Sequence, residues 1–379
     1  MEALNYLKHG KRFLIKKGDS PIYVVLFVTE NCTAKCFHCL LGEKEKAKNE
    51  LTLDEIEKLS KNIGKILFLL LTGGEPFLRD DLPEIAKIFY KNNKVCNLGI
   101  PSNGSLTTKV VESAEKILGE CRNLDFAIDI SIDAVGDEHD RIRGTKGLFE
   151  KAVWTYRELS KLEKKYNNFT LNIALTASSF NHDKLIEIYH YLKEELGVRS
   201  ITYLLTRGSP RDPAAKMVDI ENYIKLGEIL EKDTMNRHLL GYENYFGSDL
   251  LNAMKILRQK TISKIVKEKR KVLPCYAASL SCVITSKGDV YPCELLSKKM
   301  GNLRDENYDF KKIWESEEAK DIRKHIKETG CFCTYECFLT NSIIFTPSMF
   351  PKMIKEWYRI KKAKSGIGDD KGLYHGKGN

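Results

Sequence analysis

The stretch TENCTAKCFHC, residues 29–39, puts Cys32, Cys36 and Cys39 inside eight positions at the spacing C-x-x-x-C-x-x-C. A structural zinc site takes four protein ligands in a tetrahedron. A cubane iron–sulfur cluster has four irons, each wanting a ligand. Three thiolates on one short loop, with no fourth cysteine close by in sequence, leave one iron open. An open iron can bind a small molecule directly, and the residues around the loop decide what fold presents it.

The 379 residues carry 42% hydrophobic content, which suits a large domain plus a smaller one. No run of ~18 apolar residues occurs, so no membrane-spanning helix is expected. The opening MEALNYLKHGKRFLIKKG lacks the apolar core and small-residue cleavage site of a signal peptide. The chain therefore reads as cytoplasmic, where disulfides are rare. Of its eleven cysteines nine fall into two groups, for which metal binding is the leading explanation. Cys96 and Cys121 stand alone and read as buried thiols. A net charge of +10 would suit nucleic acid, acidic lipid or an anionic substrate. Lys and Arg are interleaved with Glu, as in LTLDEIEKLSK, which is the pattern of solvated helix faces more than of a nucleic-acid interface.

Apolar, β-branched runs alternate with helical patterns along the first half. Strands are predicted at 21–28, 66–71, 95–100, 125–132, 170–176 and 200–205, and helices at 52–62, 82–91, 107–118, 147–165 and 182–196. Thr52 is placed as an N-cap, with Glu55 completing a capping box. Such alternation makes an α/β fold of βαβ units with a parallel sheet, and right-handed crossovers curl about six of them into an open barrel. The unusual residues fall where strands end: the cysteine loop after the first, GGEP (73–76) after the second, SNG (102–104) after the third, SIDA (131–134) at the fourth and TRG (206–208) after the sixth. In α/β barrels that rim carries the active site.

These residues together resemble the radical S-adenosylmethionine (SAM) superfamily, over roughly residues 20–208. The resemblance implies a partial (β/α)6 barrel in which a 4Fe–4S cluster on Cys32, Cys36 and Cys39 binds SAM through its open iron. Electron transfer to the sulfonium then gives methionine and a 5′-deoxyadenosyl radical, which abstracts hydrogen from a substrate. It further implies that Phe37 shields the cluster and that His38 is background. Gly73, Gly74, Glu75 and Pro76 receive the methionyl amino group, with Glu75 orienting the ammonium and the glycines allowing close approach. Ser102 and Asn103 lie near the methionyl and ribose region, and Ser131 and Asp133 contact SAM or substrate. Arg143, in DEHDRIRG, reaches the SAM carboxylate, and Leu205 and Thr206 pack the adenine.

The second group comprises Cys275, Cys282, Cys293, Cys331, Cys333 and Cys337. It resembles the SPASM or twitch extension of that superfamily, a C-terminal cysteine-rich auxiliary-cluster domain. SKGDVYPCELL reads as a hairpin that turns at 287–289 and delivers Cys293 on its second strand. In GNLRDENYDFKKIWESEEAKDIRK a strand precedes a helix starting near the tryptophan. Six cysteines are too few for two complete cubanes. The expectation is one auxiliary 4Fe–4S cluster on Cys275, Cys293, Cys337 and one of Cys282, Cys331 or Cys333. Two clusters, or a zinc site, are the alternatives. The expected organisation is a barrel over 1–210, a helical bridge over 211–272, the auxiliary domain over 273–345 and a basic amphipathic helix with a disordered tail over 346–379.

Expected partners are a small-molecule or peptide substrate and an electron donor such as flavodoxin or ferredoxin. Members with such extensions act on peptides, sugars and cofactor precursors, and the substrate is not legible. With 31 residues before Cys32, no leader-binding domain is expected there. A contrasting reading is a non-catalytic, metal-stabilised module that binds nucleic acid. GGEP and the strand-end motifs favour the enzyme, because a scaffold needs no open iron. In the tail, Met349, Phe350, Met353, Ile354, Trp357 and Tyr358 recur at helical spacing among Lys352, Lys355, Arg359, Lys361, Lys362 and Lys364. That fits either a helix packed on the barrel or one lying at a membrane surface, with a lipid or lipid-linked sugar as substrate.

Overall fold

The structure is a computed structural model that describes residues 20–42, 48–239 and 247–366. Most of the glycine-rich end expected to be disordered lies outside them. β1 (Tyr23–Thr29), β2 (Phe68–Gly73), β3 (Asn97–Ser102), β4 (Asp125–Ser131), β5 (Phe169–Ala177) and β6 (Ile201–Leu205) pair in chain order, each parallel to the next. Their register makes one set of side chains line the barrel and the alternate set pack under the helices. Leu98, Ile100, Phe126, Ile128 and Ile130 belong to the buried outer layer.

The helices between them are α1 (Leu53–Asn62), α2 (Leu82–Asn93), α3 (Thr107–Glu120), α4 (Asp137–Arg143), α5 (Leu148–Lys165) and α6 (Leu185–Glu194). α1 begins where its sequence dictates: Thr52 accepts from the Glu55 N–H, and the Glu55 side chain accepts from the Thr52 N–H. DEHDRIRG, a charged run by sequence, forms α4 and ends at Gly144 in the left-handed region (φ 59°).

α7 (Ile220–Met235) and α8 (Ser248–Glu268) follow the barrel. The chain then returns to the sheet. β7 (Ser281–Ile284) adds parallel to β1, with Tyr23 opposite Ser281 and Val24 opposite Cys282. β8 (Asp289–Tyr291) and β9 (Gly301–Asn302) extend it antiparallel. The cysteine-rich segment is therefore continuous with the barrel sheet, in the order β6-β5-β4-β3-β2-β1-β7-β8-β9. The hairpin forms as expected, but β8 ends at Tyr291 and Cys293 lies just beyond it. α9 (Phe310–Glu315) contains Trp314, α10 (Glu317–Glu328) starts three residues after it, and α11 (Glu336–Phe345) and α12 (Phe350–Gly366) follow.

Arg304, after β9, ties this extension to α1. Its Nε donates to Glu55 Oε1 at 2.6 Å and its Nη2 to Oε2 at 2.9 Å, and the Tyr308 hydroxyl donates to Oε1 at 2.5 Å. The Arg304 hydrogen bond leads the effects that hold the Glu55 carboxyl well below its ordinary value. A depressed carboxylate contributes stability above its unfolded-state pKa and loses it as the pH falls. Glu55→Gln keeps the cap but removes the charge. It is expected to lower the unfolding free energy by about 1.5–3 kcal/mol at neutral pH. The difference from the parent should shrink as denaturation is repeated below the ordinary glutamate value of 4.5.

Candidate active site

The cysteine loop leaves β1 at the carboxyl rim, and its backbone is bonded on three sides. Glycines 73 and 74 pack directly on it: a Cβ on Gly73 would overlap the Thr29 carbonyl, and one on Gly74 the Asn31 carbonyl. The N–H groups of Gly74 and Glu75 donate to those same carbonyls at 2.9 and 2.8 Å. The Lys35 and Phe37 N–H groups donate to Arg143 O and Ile142 O, both at 3.0 Å, at the end of α4. Arg211 N–H reaches Cys39 O and Asp212 N–H reaches Phe37 O. The glycines are thus needed first for the approach of the cysteine loop. The Phe37 ring lies 5.5 Å from that of Phe180.

Cys32 is exposed, Cys39 half-buried and Cys36 buried. Burial pushes the Cys36 thiol up to about 11. Cys36 is therefore a protonated thiol at neutral pH until a metal displaces the proton. Asn103 Nδ2 lies 3.7 Å from Cys32 Sγ and Arg143 Nη1 3.7 Å from Cys36 Sγ. An amide and a guanidinium thus face two of the three sulfurs.

Glu75, expected to orient an ammonium, is bonded within the chain. Its carboxylate is fully buried against the end of β3. Oε1 accepts from the Ser102 hydroxyl at 3.0 Å and Phe77 N–H at 3.3 Å, and Oε2 from Asn103 N–H at 2.8 Å. Burial pushes it up to about 7 despite these donors. Glu75 therefore fixes Ser102 and Asn103, and Asn103 in turn donates to Thr33 at 2.9 Å.

Arg143, expected to reach the SAM carboxylate, is also paired within the chain. Its Nε donates to Asp133 Oδ2 at 2.6 Å, and both side chains are buried. Asp133 Oδ1 accepts from Thr176 N–H at 2.8 Å. Burial alone would raise the Asp133 carboxyl, but Arg143 and its other partners hold it low. His38 Nε2 lies 3.5 Å from the same carboxylate, and burial lowers His38 to about 4, so it is neutral. Ser131 ends β4 half-buried. Leu205 and Thr206 are buried, with Leu205 N–H donating to Glu336 Oε1 at 3.2 Å and the Thr206 hydroxyl to Ala177 O at 2.7 Å.

In the second cysteine group, Cys275, Cys293, Cys331 and Cys333 line one cavity of about 190 Å³, walled by apolar side chains such as Leu273, Leu296 and Phe338. Four thiols around one mostly apolar cavity are a donor set that could hold an iron–sulfur cluster. Burial pushes Cys293 up to about 11 and Cys333 to about 12, so these too would lose protons to a metal. Among the described residues no three His, Cys, Asp or Glu side chains close on a single ion. The four cysteines line one shared space.

Two expected ligands stand apart from that cavity. Cys282, opposite Val24 in the sheet, is fully buried in the apolar core, and burial alone pushes its thiol well above its ordinary value, with no contribution from a neighbouring thiol. Cys337, in the first turn of α11, lies against the Tyr23 hydroxyl with Arg207, Glu294 and Glu336 as its charged neighbours.

Sequence reading missed that last group. Arg207, in the TRG after β6, donates from Nη1 to Glu336 Oε2 at 3.0 Å and from Nη2 to Glu294 Oε2 at 3.1 Å. Its guanidinium stacks 4.4 Å from the centre of the Tyr335 ring, whose hydroxyl donates to Glu294 Oε1 at 2.8 Å. The available signal was position: Glu294 follows Cys293, and Tyr335 and Glu336 lie between Cys333 and Cys337.

A parallel partial barrel with a three-cysteine loop at its rim and a four-cysteine cavity beside it has the donor sets of an iron–sulfur protein. The radical SAM superfamily model matches residues 26–220, and an iron–sulfur cluster-binding domain model, SPASM, matches residues 275–338. The chain belongs to the radical SAM superfamily and carries a SPASM-type domain. Its cofactors are accordingly a 4Fe–4S cluster, auxiliary iron–sulfur and SAM. It is 25% identical over 321 residues to an AdoMet-dependent heme synthase of Methanosarcina barkeri, covering 81% of this chain and 85% of that one. It is 24% identical over 325 residues to the subtilosin biosynthesis protein AlbA of Bacillus subtilis, covering 82% and 65%. In fold it is similar to anSMEcpe with bound AdoMet (TM-score 0.57, 17% identity, 91% and 98% covered). A similar likeness is to Streptococcus suis SuiB bound to S-adenosylmethionine (0.57, 17%, 84% and 72%).

Because Arg143 is bonded to a fully buried Asp133 and to Cys36, its removal should reach beyond SAM binding. Arg143→Met is expected to lower the unfolding free energy by about 3–5 kcal/mol in anaerobic denaturant titrations. Combining it with Asp133→Asn should restore part of that loss, since no unpaired charge is then left buried.

Proposed function

We propose that this radical SAM enzyme holds its SAM-binding 4Fe–4S cluster on Cys32, Cys36 and Cys39. A single auxiliary cluster sits on Cys275, Cys293, Cys331 and Cys333. The observation that carries the second assignment is the shared cavity of those four thiols, away from Cys282 and Cys337. When bound, cluster and SAM supply a 5′-deoxyadenosyl radical that abstracts hydrogen from a carbon of the substrate. The chain's own residues do the positioning. The backbone at 73–75 and the Glu75–Ser102–Asn103 bonds set the rim on which SAM lies, and the Arg143–Asp133 pair places positive charge beside Cys36.

For the substrate we favour a heme precursor. Relatives of comparable length support this: heme synthases of Methanosarcina barkeri and Nitratidesulfovibrio vulgaris align over 85% and 86% of their own chains. A peptide is the second reading, supported by the likeness to AlbA. Anaerobic assays with Fe-coproporphyrin III should release 5′-deoxyadenosine above the substrate-free background. Stimulation by peptides alone would transfer the assignment to the second reading.

The reconstituted chain is expected to hold about eight irons, four per cluster. Changing Cys32, Cys36 and Cys39 together to Ala should remove about half of that iron and abolish 5′-deoxyadenosine release. The quadruple Ala variant of Cys275, Cys293, Cys331 and Cys333 should lose the other half. Cys282→Ala and Cys337→Ala should leave the iron content unchanged; loss of iron from either would sink the auxiliary assignment.

A further inference from the structure

We propose that the outer face of α12 docks the protein onto an anionic lipid surface. The apolar residues of this helix divide into two stripes. Met353, Trp357 and Ile360 face inward, Ile360 packing with Ala253 and Ile256 of α8 and Met353 beside Leu257. This stripe accounts for the helix being folded against the body of the protein. Phe350, Ile354 and Tyr358 form the other stripe, one turn apart, and are 46%, 61% and 62% exposed. Packing among the described residues leaves them largely uncovered.

The exposed charged side chains of the helix itself are all cationic, and of these Arg359 is paired with Glu231 at 2.9 Å. Lys352, Lys355, Lys361 and Lys362 are exposed. The sole acidic residue in the helix sequence, Glu356, is buried and accepts from Lys260 at 3.0 Å and from Arg359 at 2.5 Å. The Lys361 ammonium lies 5.1 Å from the centre of the Trp357 ring, at the edge of the apolar stripe. Large apolar side chains in line, bordered by lysines and with a tyrosine among them, are what a helix lying in a headgroup layer presents.

The same features decide among occupants. Nucleic acid would pair with the lysines but gives Phe350 and Ile354 no apolar surface to enter. A second copy would bring this cationic face against itself. An anionic bilayer satisfies both stripes at once, phosphate and carboxylate headgroups meeting lysine and acyl chains meeting the ridge. No helix of the described residues is long and apolar enough to cross a membrane, so the contact is peripheral. This inference does not depend on the identity of the substrate.

Flotation of the full chain, under anaerobic conditions, with phosphatidylcholine vesicles with and without phosphatidylserine tests it. The parent should float with the serine-containing vesicles and stay behind with neutral ones. The double variant Ile354→Asp, Tyr358→Ser and the charge-reversed Lys352→Glu, Lys355→Glu should each lower recovery about ten-fold or more. Both alter exposed side chains, and unchanged circular-dichroism melts would certify their folding. Recovery of the parent in the aqueous fraction with both vesicles overturns the proposal. So does equal flotation of parent and variants. Binding of a DNA duplex without vesicle binding would reassign the face to nucleic acid, and dimerisation lost in the Ile354→Asp, Tyr358→Ser variant without vesicle binding would reassign it to a second copy.

Discussion

The backbone lock around the cysteine loop is the constraint on which the rest of the site depends. An irregular loop at a barrel rim must have its N–H and C=O groups satisfied by other segments. Here the partners are the turn after β2, the open carbonyl end of α4 and the segment after β6. The helix end supplies acceptors it cannot use internally. Each partner imposes a sequence requirement: glycines at 73 and 74, and at 144, where a Cβ would sit 2.6 Å from the Lys35 carbonyl. The thiols are thereby positioned by hydrogen bonds between main chains, before any metal contributes.

This arrangement separates what the sequence could reveal from what it could not. Strands buried on both faces announce themselves as continuous apolar runs, and all six barrel strands lie within a few residues of their predicted places. The cap at Thr52 was equally readable, because a capping box is local. Ligand assignment in the second cysteine group was not, because it depends on tertiary placement. Cys282 faces the core by virtue of its register with Val24, a pairing between segments far apart in the chain. Cys337 and Cys333 are close in sequence, yet α11 begins between them and turns Cys337 toward Tyr23. The partners of Glu75 and Arg143 within the chain were hidden from the sequence for a related reason. A motif fixes which residue stands at a rim, whereas the neighbouring strand and helix decide where its charged end is satisfied.

The Arg207 group shows the same point at the junction of barrel and extension. A buried ion pair carries a desolvation cost comparable to its attraction, so this cluster is weak evidence for stability. Its geometry argues for orientation instead. One guanidinium from the end of β6 bonds carboxylates on two different segments of the extension, Glu294 beside Cys293 and Glu336 beside Cys337, and stacks on Tyr335 near Cys333. A planar, forked donor holds both segments in one geometry, which an apolar contact or a lysine would leave free to slide. β7 fixes the same extension from the opposite side through its pairing with β1. The strand that presents the first three thiols and the strand end that carries Arg207 therefore both set the position of the other four.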